Sequence, residues 1–132
     1  NDLCRQVVVT KRMVLRSSGL QLRDFITLSD VCSAVKHLLE LPSPDLNDGL
    51  YNVGGNAARV IDMAEMIQAR CSKVLGFRPK IAYKDSIEKG AGSSLEYCTN
   101  KLLATGFFIK NDRLSEIDET LYFCNEFFED VL

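Results

Sequence analysis

Two helical stripes with a short strand signal between them limit what this chain can become. Over residues 30 to 41, Val31, Val35, Leu38 and Leu39 fall at helical spacing, with Ser29 placed to cap the helix and Pro42 to end it. From Ile61 onward, Ile61, Ala64, Ile67, Cys71 and Val74 form a second stripe, which Gly76 stops. The turn-rich "LPSPDLNDG" and then "LYNVGG" (50–55), a short strand running into a glycine turn, stand between them. Strands interleaved with amphipathic helices predict an α/β fold.

The flanking segments extend the pattern. "MVLRSSGLQLRDFITL" (13–28) holds two β-rich runs around Ser17, Ser18 and Gly19, and reads as a hairpin. "KIAYKD" (80–85) alternates like a strand, and "SIEKGAGSS" reads as a flexible loop. A short helix is expected around Tyr97 to Ala104. A last helix begins near Leu114, with Ile117, Leu121, Cys124 and Phe128 continuing its stripe. The stretch from Asp2 to Val9 is amphipathic.

Composition narrows the function classes. A net charge of −2 over 132 residues offers no basic footprint for nucleic acid. No apolar run approaches the roughly 20 residues needed to span a bilayer. The five cysteines (Cys4, Cys32, Cys71, Cys98, Cys124) are odd in number and contain no Cys-x-x-Cys pair, which fits reduced thiols and a cytoplasmic location. His37 has no second ligand candidate nearby, so a structural role is expected rather than metal binding, and no metal site is predicted. The start at Asn1 is compatible with a removed initiator and with a piece of a longer polypeptide.

Tyr97 and Lys101 stand in the order Tyr-x-x-x-Lys, and on a helix residues i and i+4 share a face. A lysine there would lower a tyrosine pKa and suit it to proton transfer. Such a pair is also common by chance, so its context must decide. Gly54-Gly55 follows a strand signal, yet no Gly-x-Gly-x-x-Gly continues from it. The pair is expected to form a tight turn permitted by glycine φ angles, not a dinucleotide-binding turn.

"GLQLRDFITLSDVCSAVKHLLE", then "GLYNVGG", then "DMAEMI", then "NKLLATGF" and "LSEIDETLYF" resemble, in order and separation, the C-terminal part of the extended short-chain dehydrogenase/reductases, the family of NAD-dependent nucleotide-sugar epimerases and dehydratases. The resemblance implies that residues 1–132 are the C-terminal substrate-binding portion of a larger Rossmann-type, two-domain enzyme, with residues 50–55 an edge strand of the parent's parallel sheet. NAD or NADP would be bound by a missing N-terminal Rossmann half and not by this chain alone, which lacks the Gly-rich dinucleotide motif and is expected to be inactive by itself. A homodimer is left open.

The family's catalytic Tyr-x-x-x-Lys precedes the Arg-Asp-Phe segment, whereas Tyr97 and Lys101 follow it. Lys101 matches instead the lysine of a late Ser-Lys segment, so no catalytic residue is assigned here. The resemblance gives Arg23 to a nucleotide-sugar diphosphate, through a bidentate guanidinium, and Phe25 to the neighbourhood of the nucleotide. Alternation puts both on one strand face, with Asp24 on the other; Asp24 and Asp30 are read as structural. Many relatives carry a second arginine before the late lysine segment, where this chain has Lys89 as a point cation. That departure keeps two other readings open: a reductase for a non-nucleotide carbonyl substrate, and a non-catalytic binding or scaffold protein of the same fold.

Overall fold

The structure, a computed structural model, describes residues 1–46, 48–83 and 97–129. It is a mixed α/β arrangement in which each early strand pairs with a late one. Helix α1 (Asp2–Thr10) buries Cys4, Val7 and Val8. Lys11 ends it in the left-handed region at φ 55°, returning its N–H to the Val7 carbonyl at 2.9 Å. Strand β1 (Arg12–Leu15) then runs parallel to β4 (Lys80–Tyr83), with Met13 opposite Ile81 and Leu15 opposite Tyr83. A parallel pair needs a long crossover, and here residues 16 to 79 supply it.

Strand β2 (Leu22–Phe25) pairs antiparallel with β3 (Asn56–Arg59), Arg23 opposite Ala58 and Phe25 opposite Asn56. The expected hairpin over 13–28 is therefore absent. Its turn residues exist, but Gly19, at φ 76°, accepts the Ile61 N–H at 2.9 Å and steers the chain toward the start of α3 (Val60–Val74). Turn chemistry is local, and it cannot say which strand will be the partner.

Helix α2 (Leu28–Glu40) starts earlier than its stripe suggested because Thr27, not Ser29, is the cap: its hydroxyl accepts the Asp30 N–H at 3.1 Å. Helix α4 is one turn (Asn100–Leu103), leaving Tyr97 outside the helix expected over 97–104. Helix α5 (Arg113–Phe128) is capped by Asp112, which accepts the Ser115 N–H at 3.2 Å. Residues 50–55 join no strand among the described residues, and β3 begins only at Asn56.

One core holds α1, β1, α3 and α5 together through Val7, Val8, Met13, Ala64, Ile67, Ile117 and Leu121. Cys4, Cys71 and Cys124 lie in it as free thiols, and burial pushes Cys71 up to about 12 and Cys4 to about 11. A smaller core of Ala34, Leu102 and Phe107 lies under α2. His37 braces it, 2.8 Å from the Thr105 hydroxyl and stacked obliquely on Phe107, in the structural role expected of it. The ends of α1 and α3 are followed by Lys11, Arg12, Arg78 and Lys80 around an open cavity of about 640 Å³. Cations suit helix C-termini, which accounts for that basic edge.

Candidate functional site

The opposite ends of the same helices make a different surface. The first turns of α1, α3 and α5, with the N-cap of α2, line a cleft of about 310 Å³ that also receives Arg23, Phe25 and Arg113. Each helix N-terminus carries the positive end of its dipole, with the Asp30 and Ser115 N–H groups already capped by Thr27 and Asp112 and the Leu28 N–H by Glu116. A cleft bounded by several such ends is suited to an anion.

Strand β2 supplies the first two side chains. Arg23 and Phe25 are alternate residues, about 7 Å apart along the strand and on one face. The Arg23 guanidinium is exposed and has no hydrogen-bond or ion-pair partner among the described residues. Asp24 turns the other way, as expected, and its Oδ2 accepts the Gly55 N–H at 2.9 Å. That bond fixes β2 against the segment entering β3, so the acid holds the strand that presents the arginine. Asp30 is likewise structural. It is 2% exposed, and its carboxylate accepts the Lys110 and Asn111 N–H groups at 2.9 Å each and the Thr27 hydroxyl at 2.8 Å.

Arg113 went unnoticed in the sequence. It occupies the first position of α5, donates from Nη2 to the Asn56 carbonyl (2.5 Å) and the Phe25 carbonyl (3.4 Å), and places its guanidinium carbon 6.0 Å from the Phe25 ring centroid. A signal was available: a cation opposes the dipole at a helix N-terminus, so an arginine there needs another reason. Lys89, the other predicted substrate residue, lies outside the described residues.

Tyr97 and Lys101 do not form a dyad here. Lys101 contacts the Asp48 carboxylate, donates to the Leu50 carbonyl at 2.7 Å and sits 4.6 Å from the Tyr51 ring centroid. Tyr97 is half exposed beside Gly54. The lysine thus ties the 48–51 segment to α4, a bracing role consistent with the chance reading of the motif.

No protein-family model matches the chain, and no curated protein matches it in sequence. Solved structures do. A dTDP-glucose 4,6-dehydratase from Bacillus anthracis, in complex with NAD, superposes with a TM-score of 0.67 at 21% identity, over 96% of this chain and 39% of that one. A UDP-glucuronic acid 4-epimerase from Bacillus cereus, in complex with UDP-glucuronic acid and NAD, gives 0.69 at 15% identity over the same shares. A UDP-N-acetylglucosamine 4-epimerase from Methanobrevibacter ruminantium, in complex with UDP-N-acetylmuramic acid, gives 0.64 at 21%, over 91% of this chain and 37% of that one. The fold is that of the C-terminal part of extended short-chain dehydrogenase/reductase structures, and this chain spans about two fifths of their length.

Proposed function

We propose that this chain is the substrate-binding portion of a larger NAD(P)-dependent enzyme, an epimerase, dehydratase or reductase acting on a nucleotide-sugar. The observation that carries the reading is the Arg23 guanidinium, without a partner among the described residues, beside Phe25 in a cleft toward which helix N-termini converge. A nucleotide-sugar offers what that cleft lacks: a diphosphate for the arginine and a flat base for the aromatic ring. The volume of about 310 Å³ suits the nucleotide end of such a molecule. In two of the solved neighbours a UDP-sugar is the bound partner.

Gly54-Gly55 does not fit the pyrophosphate of NAD. Gly54-Gly55 leads into a strand rather than a helix, and the space a phosphate would need at Gly55 is filled by the Phe25 backbone. Hydride chemistry would belong to NAD(P) held by an N-terminal Rossmann half, and this chain by itself would be inactive. Leu28, Val35 and Leu39 of α2 are 67%, 52% and 81% exposed, an apolar face that such a half would cover. Residues 50–55, joined to no strand among the described residues, would add to the edge of its parallel sheet. No helix among the described residues is long and apolar enough to cross a membrane. Five free thiols accord with a cytoplasmic enzyme.

Calorimetric titration of the full-length protein with UDP-glucuronic acid and dTDP-glucose tests the reading. Saturable binding of at least one is expected, together with NAD(H) or NADP(H) binding that the 132-residue chain alone lacks. Binding of neither nucleotide-sugar, or saturable cofactor binding by the chain alone, would overturn it.

A further inference from the structure

We propose that Arg113 is the second guanidinium of the cleft and holds the substrate's phosphates together with Arg23; the identity of the anion as a nucleoside diphosphate rests on the reading above. Arg113 stands where the dipole of α5 disfavours a cation, yet three bonds fix it there. Nη2 donates to the Asn56 and Phe25 carbonyls, and Nε donates to Asn111 Oδ1 at 3.0 Å. These acceptors are neutral, so no ion pair is what fixes the guanidinium in place. Nη1 is left facing the Met63 sulfur at 4.0 Å, a weak acceptor.

Two carboxylates, Asp2 and Glu116, line the same cleft and offset part of the Arg113 charge without bonding to the guanidinium. Asp2 accepts the Gln6 amide and Glu116 the Leu28 N–H, each at 2.9 Å, and among the described residues neither pairs with Arg113 or Arg23. The two arginines flank Phe25 from different elements, β2 and α5, and line one cleft. A guanidinium already clamped in position loses little side-chain entropy on gripping an anion. Arg113 therefore supplies in α5 the charge that the segment before Lys101 lacks in arginine.

The test compares UDP with uridine, by calorimetry on the full-length protein, for the wild type, Arg113→Gln and Arg113→Lys. A phosphate-binding Arg113 predicts that Arg113→Gln weakens UDP about tenfold or more and leaves uridine unchanged, with Arg113→Lys between. Equal losses for UDP and uridine, or none, would reduce Arg113 to a clamp on β2 and β3 and overturn the proposal. Should the variants fail to fold, arginine side-chain NMR of the wild type during a pyrophosphate titration decides: Arg113 and Arg23 Nε resonances must shift with one common affinity, and a still Arg113 refutes the role. A wild type that binds pyrophosphate through both arginines but neither uridine nor any UDP-sugar would sink the nucleotide-sugar reading and leave the phosphate role intact.

Discussion

The α-carbon of Gly55 rests against the backbone of Phe25 so closely that a β-carbon built on it would lie 1.8 Å from the Phe25 carbonyl oxygen. Neither Gly54 nor Gly55 has a positive φ, so the pair is not the φ-permitted turn that the sequence suggested. Glycine is required here for approach, since it lets the segment entering β3 lie on β2 and deliver its N–H to Asp24.

Gly55→Ala is consequently expected to lower stability by about 2 kcal/mol or more, because the clash is with backbone and no rotamer relieves it. Gly49→Ala is the control: nothing lies within 4 Å of its added carbon, and only the strain of φ 73° opposes it. Thermal melts of both variants check the difference.

Burial pushes the Asp30 carboxyl up, but the Thr27 hydroxyl and the Lys110 and Asn111 N–H groups outweigh it and hold the pKa below the ordinary 3.8. A carboxylate depressed in the folded state stabilises the fold above its unfolded pKa, and that stability drains away as pH falls below about 3.8 toward the folded value. Asp30→Asn should therefore be less stable than wild type at pH 7, by about 2–3 kcal/mol. The gap should narrow below pH 4, and urea titrations at both pH values would show whether it does.

The secondary structure was legible wherever the signal was periodic. The stripes ending at Val74 and running from Ile117 to Phe128 became α3 and α5, since their apolar faces meet in one core. Pairing was not legible, because β1 and β2 find partners far away in sequence and turn residues encode no such distance. The α2 stripe was readable as a helix but not as a surface. Val35 and Leu39 looked like core positions and stand exposed in this chain. Of the site, Arg23 and Phe25 could be read from strand alternation, whereas Arg113 reaches the cleft only through a helix start that folds back over β2.

Thiol reactivity gives a second view of the core. Cys32 and Cys98 are exposed, whereas Cys4, Cys71 and Cys124 are buried with raised pKa values. A thiol near 11 is about one-thousandth thiolate at pH 8. At pH 8 a thiol reagent is expected to label Cys32 and Cys98 of the folded chain quickly, and the other three only after unfolding. Rapid modification of Cys71 would mean that the packing of α3 on α1 is wrong.

On the proposed function, Tyr97→Phe in the full-length protein should reduce turnover by less than about tenfold, against the roughly 10²-fold or larger loss that follows removal of a general acid–base group. The reason is geometric: Lys101 is occupied by Asp48 and the Leu50 carbonyl, and Tyr97 stands outside α4 beside Gly54. A loss of 10³-fold with folding intact would restore the dyad.

Arg23→Lys separates a phosphate contact from a solvated surface charge. Lysine keeps the charge but loses the two-pronged donor fork, so a nucleotide-sugar held by Arg23 should bind the variant about 1–3 kcal/mol more weakly. Cofactor affinity should not move, because on the proposed reading NAD(P) is held by the N-terminal half. Stability should not move either, since Arg23 is exposed and makes no hydrogen bond or ion pair among the described residues. Equal nucleotide-sugar affinity in wild type and variant, measured by calorimetry on the full-length protein, would take Arg23 out of the site. Convergent helix N-termini would then be the remaining source of positive potential in the cleft apart from Arg113, and those alone seldom specify a ligand.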